Sequence, residues 1–227
     1  MSKRWAIALG VTGLLVGGCD AVEPDSPLAR HDLLPVIDEL PPNSELVTLE
    51  GDDQLVLGVA LDAMSSDDLG LPEATVDYSP PECAESSTYA DESRLSLVKD
   101  ASGSAARIDG ERTYVILVSE TDLDLERVAE AHTGMCSSYV RTSSSTDHTS
   151  ERSVKTARLV LPSAKDAVIL SRVTDHANPR WSDDEITLGF AAVNGYTVLV
   201  LAHQGRAYQP EFDDIFSRAI DKVRSNT

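Results

Sequence analysis

Positive charge, histidine and thiols are all scarce in this chain of 227 residues. It holds 19 Lys and Arg against 38 Asp and Glu, five histidines and three cysteines, and its formal net charge is −19. An acidic balance of that size repels phosphate backbones and anionic head groups, so no nucleic-acid partner is expected. After the N-terminal segment no apolar run reaches the roughly 20 residues that a membrane-spanning helix needs. Chemistry-bearing motifs are missing too: there is no C-x-x-C, no H-E-x-x-H, no G-x-S-x-G and no Gly-rich phosphate loop outside the first 18 residues. Asp147-His148 and Asp175-His176 are adjacent pairs, which seldom form a metal site alone, and His31 stands apart from them. The acids Glu120, Asp122, Asp124 and Glu126 alternate, but they lack the glycine and distal glutamate of a calcium loop and open a helix instead. No catalytic residue, metal or cofactor is therefore expected.

What is present begins at the N-terminus. Lys3 and Arg4 form a short basic stretch, and Ala6 to Val16 is apolar but too short to cross a bilayer as a helix. Val16-Gly17-Gly18 then runs straight into Cys19, where an ordinary secretory signal would end in an Ala-x-Ala site. This seam resembles a bacterial lipobox, with a branched apolar residue and two small ones before the cysteine. The resemblance implies a lipoprotein signal peptide over 1–18, diacylglycerol on the Cys19 thiol, and cleavage that makes Cys19 the first residue. Each buried acyl methylene adds about 0.8 kcal/mol of membrane affinity. The expected location is the extracytoplasmic face of the cell membrane, with the anchor as the membrane contact. Cleavage removes two cations and no acid, so the mature chain is more acidic still.

Residues 19–27 read as an acidic, Pro-containing tether, and 28–227 as one domain long enough to bury a real core. Two cysteines remain, Cys83 and Cys136. In an exported chain two thiols pair, closing a loop of roughly 50 residues worth about 4 kcal/mol in the chain-entropy picture. A redox or metal role would need a C-x-x-C or a histidine at ligand spacing.

Along the domain, Ser26-Pro27 suits the start of a short helix limited by Pro35 and ended by Pro41-Pro42-Asn43. Glu45 to Leu49, Leu55 to Leu61 and a short run at Leu95, Leu97 and Val98 read as strands, with 62–82 as loop. Ala105 to Ile108 and Thr113 to Val118 flank Asp109-Gly110, and Glu185 to Ala192 and Tyr196 to Ala202 flank Asn194-Gly195. Both dipeptides favour two-residue hairpins. Thr121 with Asp124 predicts a helix start, Leu125, Val128, Ala129 and His132 share its apolar face, and Gly134 ends it. His132 reads there as a core or boundary histidine. Ser137 to Ser153 reads as a strand leading into an exposed Ser/Thr loop, and Val154 to Leu161 as a strand. Ser163 with Asp166 predicts a helix over 164–175. Tyr196 to Ala202 is apolar on both faces, the mark of a central strand. Phe212, Ile215, Phe216, Ala219 and Val223 make the stripe of a last helix over Pro210 to Val223. The expected fold is α+β, an antiparallel sheet with helices packed on one face.

The order of landmarks runs Pro80-Pro81-Glu82-Cys83, a hairpin, a helix ending near Cys136, Leu161-Pro162-Ser163-Ala164, the Val193-Asn194-Gly195 hairpin and a terminal helix. Over residues 75–225 this resembles the sensor-like extracellular domain of mycobacterial PknH-type receptor kinases, and related actinobacterial lipoproteins of unknown function. The resemblance implies a non-catalytic α+β domain with a cleft for a small ligand or an envelope protein partner. The kinase-type domains commonly carry two disulfides, and only Cys83 and Cys136 match. Two residues are candidates to line such a cleft. Trp181 beside Asp183, Asp184 and Glu185 suits a sugar or cationic ligand, or an edge-strand gatekeeper, and His203 lies just past a central strand. The alternatives are a structural or interaction lipoprotein of the envelope with no small-molecule pocket and, third, an envelope hydrolase.

Overall fold

The computed structural model describes residues 29–49, 75–110, 112–146, 149–164, 166–177, 184–203 and 208–227. Two hairpins organise the sheet. Strand β3 (Ala101–Ile108) turns into β4 (Arg112–Ser119) through Asp109 and Gly110, with φ of 51° and 73°. Strand β8 (Asp184–Val193) turns into β9 (Tyr196–His203) through Asn194 and Gly195, with φ of 49° and 85°. Both turns place two successive residues in the left-handed region, which matches the natural twist of paired strands and favours Asn, Asp and Gly there.

The remaining strands among the described residues are β1 (Ser44–Leu49), β2 (Thr75–Ser79), β5 (Ser138–Ser144), β6 (Thr149–Leu159) and β7 (Val168–His176). Together the nine form one antiparallel sheet in the order β1-β3-β4-β9-β8-β7-β6-β5-β2. Three α-helices accompany it among the described residues: α1 (Cys83–Asp100), α2 (Leu125–Thr133) and α3 (Gln209–Asn226). The fold is α+β.

The helices lie on both faces of the sheet, whereas a single covered face is expected from the sequence. The centre of the sheet explains the difference. In β9, Val198 and Val200 face one cluster, which includes Phe212, Phe216 and Val223 of α3. Their neighbours Leu199 and Leu201 face another, with Leu97 and Val98 of α1 and Val128 and Ala129 of α2. A strand apolar on both sides demands cover on both sides. Gly189 in β8 lets α3 sit close, since a Cβ there would lie 3.0 Å from the rings of Phe212 and Phe216.

Several local expectations fail for physical reasons. Leu95, Leu97 and Val98 belong to the helix α1. Its inward positions are Cys83, Ser87, Ala90, Ser93, Arg94, Leu97 and Val98, a helical spacing filled mostly by small or polar residues that leave no apolar stripe to read. The helix expected over 164–175 is instead the strand β7, buried on both faces and so without alternation, while Ser163 and Asp166 lie in the turn that leads to it. The N-cap of α2 is Asp124, whose Oδ1 accepts the amide of Arg127 at 3.0 Å. Thr121 accepts the Thr197 hydroxyl with its carbonyl at 2.6 Å. Around Pro35 the short N-terminal helix breaks into two 3-10 turns, Arg30–Leu33 and Ile37–Glu39. Residues 75–79, read as loop, form the edge strand β2, and β6 extends back to Thr149. The strand expected over 55–61 lies outside the described residues.

Candidate functional site

Helices α1 and α2 lie side by side, α1 against β4 and β2 and α2 against β6 and β7, and their seat is pinned covalently. A disulfide joins Cys83, at the start of α1, to Cys136, just beyond the glycine that ends α2; the Cα atoms are 5.4 Å apart. Both cysteines are buried beside Tyr139 and Val154. The Arg127 guanidinium of α2 stacks on the Tyr89 ring of α1 at 4.1 Å, and Tyr78 of β2 donates its hydroxyl to Ser87 Oγ at 3.3 Å.

Beneath this pair of helices is a basic interior that the net acidity of the chain conceals. Arg94 of α1, His132 of α2 and Arg172 of β7 are exposed by only 3%, 6% and 5%. The strand register puts Arg172 on the α1–α2 face, opposite Thr156 of β6 and Ile186 of β8. The same face continues through Tyr78, Arg141, Arg152 and His176, which stand abreast on β2, β5, β6 and β7. Arg94 has an acidic partner, Asp91, one turn back on α1. Its Nε, the Nε of Arg172 and the Nε2 of His132 are all buried without a hydrogen-bond partner. Burial, and then the positive charges of Arg94 and Arg172, hold His132 well below its ordinary pKa, so the imidazole is neutral near pH 7. Burial also lowers the pKa of Arg94, against the pull of Asp91.

A second feature lies at the other end of the sheet. A groove of about 570 Å³ runs between the edge strand β1, strand β3 and the N-terminal 3-10 turns. Leu34, Leu46 and Leu49 supply apolar walls, and Thr48, Ser102 and Ser104 supply hydroxyls. The Ser104 Oγ is buried with no hydrogen-bond partner. Polar and apolar surface line the groove in nearly equal parts.

Of the residues singled out from sequence, Cys19 and Trp181 lie outside the described residues. His203 is the last residue of β9, exposed, and paired in register with Ile186 on the α1–α2 face. His132 is buried within electrostatic reach of Arg94 and Arg172. No group of three His, Cys, Asp or Glu among the described residues is placed to hold a metal, and no described helix is long and apolar enough to cross a membrane. Arg94 and Arg172 are not legible as site residues, because one sits in an unrecognised helix and the other in a strand that reads as a helix.

No protein-family model matches the chain, and no curated protein matches it. Among solved structures it is similar to an uncharacterized protein of Mycobacterium smegmatis, the Rv0999 ortholog. The two share 14% sequence identity at a TM-score of 0.45, over 82% of this chain and 92% of that one.

Proposed function

We propose that this protein is a lipid-anchored cell-envelope protein whose domain binds a small ligand without transforming it. The observation that carries the binding role is the groove between β1, β3 and the 3-10 turns, with its apolar walls and its buried, unsatisfied Ser104 hydroxyl. A buried hydroxyl left without a partner costs about 1–3 kcal/mol, and a ligand that supplies the missing hydrogen bond recovers it. The anchor rests on the Val16-Gly17-Gly18-Cys19 seam, and the extracytoplasmic location on that seam together with the disulfide. The signal peptide over 1–18 and the tether over 19–27 belong to the same reading.

The test compares wild type with Ser102→Phe, a substitution at a half-buried lining position that fills the groove without entering the core. Mass spectrometry of small molecules released on denaturation is expected to find a species with wild type that is lost with the variant. A species retained equally by both would move the binding role away from this groove. If neither protein released any species, the structural or interaction reading would be favoured.

A further inference from the structure

Two guanidinium groups, those of Arg94 and Arg172, lie buried within electrostatic reach of each other between α1, α2 and β7, with the Asp91 carboxylate beside the first. Arg172 forms no ion pair with any described residue, and its Nε is buried without a partner. Arg94 shares Asp91, which leaves its own Nε open as well. Asp91 thus pairs Arg94, while Arg172 is left without a carboxylate among the described residues. A buried charge is tolerated when it is paired and hydrogen-bonded, and is costly otherwise.

We propose that the Arg94–His132–Arg172 junction is a binding site for one carboxylate group of a small molecule. The guanidinium fork matches a planar carboxylate, and two buried Nε–H donors on separate elements have no partner of their own. The carboxylate's single negative charge supplies the counter-charge that Arg172 lacks. Thr156, opposite Arg172 in the register, and Thr174, two residues on, bring buried hydroxyls to the same face. The Nε2 of His132 is a third group at the junction without a partner. This site is separate from the β1–β3 groove, so either can fail alone.

The test uses the mature disulfide-bonded protein and three salts, sodium acetate, chloride and phosphate, at equal ionic strength. Wild type is expected to show a melting temperature that rises with acetate concentration and saturates, over a flat chloride reference. Arg172→Met is expected to lose the acetate response while melting in chloride at or above the wild-type temperature, because it removes an uncompensated buried charge. A role confined to structure would instead lower the melting temperature and leave the acetate response unchanged. Should Arg172→Met fail to fold, an NMR titration of wild type reads the same site. Acetate, and not chloride, is expected to shift two arginine Nε–H resonances in a saturable way. No saturable shift, or a response to phosphate without one to acetate, would overturn the proposal.

Discussion

Removing the disulfide separates its contribution from that of packing. Helix α1 buries only two sizeable aliphatic side chains, Leu97 and Val98, among the small and polar residues of its inner face. Fully burying each is worth about 1.5–3 kcal/mol. Helix α3 buries Phe212, Ile215, Phe216, Ala219, Ile220 and Val223. The bridge spans a sequence separation of 53 residues, which corresponds to about 4 kcal/mol in the chain-entropy model. The cross-link is thus comparable to all the aliphatic packing of α1. The double variant Cys83→Ala with Cys136→Ala is expected to lose about that much stability in guanidinium unfolding, equivalent to roughly 8–16 °C in melting temperature for a domain of this size. Hydrogen exchange is expected to show the α1 amides opening at lower free energy than those of β9 and α3. An unchanged unfolding midpoint, or α1 amides as well protected as those of β9, would refute the reasoning.

Three further outcomes are expected. Glu211, in the first turn of α3, accepts Arg112 Nε and Nη2 at 2.8 and 3.0 Å and the Tyr114 hydroxyl at 2.5 Å. Burial alone would raise its pKa, but these hydrogen bonds hold it below the ordinary 4.5. Its stabilisation is therefore present above about pH 4.5 and lost as pH falls through the depressed folded value, and Glu211→Gln is expected to flatten that acid limb in urea unfolding; parallel pH profiles would contradict the linkage. Gly189→Val is expected to cost about 1–3 kcal/mol by driving methyl groups into the Phe212 and Phe216 rings, and an unchanged midpoint would show that α3 shifts freely. Cys19→Ala is expected to move the protein from the membrane to the soluble fraction and to block processing, whereas a membrane-bound, fully processed variant would remove the anchor.

Legibility followed local chemistry. The two hairpins stand in the sequence because Asp-Gly and Asn-Gly accept the left-handed backbone that their turns demand. Helix α3 is readable because its buried residues are large and spaced for one face. Helix α1 is not, because Ser87, Ala90, Ser93 and Arg94 occupy its inner positions and look like surface residues. Strand β7 is ambiguous because burial on both sides erases the alternation that marks a strand. The basic junction is the least legible part. Its three members come from three elements, two of them misassigned from sequence, and buried arginines are rare enough that pattern reading places them in solvent.

The central claim is a lipid-anchored protein that binds a small ligand, and native mass spectrometry of the full-length protein, extracted gently from its own membrane, tests it most directly. The expected spectrum shows acyl mass on the Cys19 peptide and a second mass that dissociates on activation. A protein with an unmodified Cys19 would contradict the anchor. An acylated protein that carries nothing else, from cells grown in several media, would contradict the binding role.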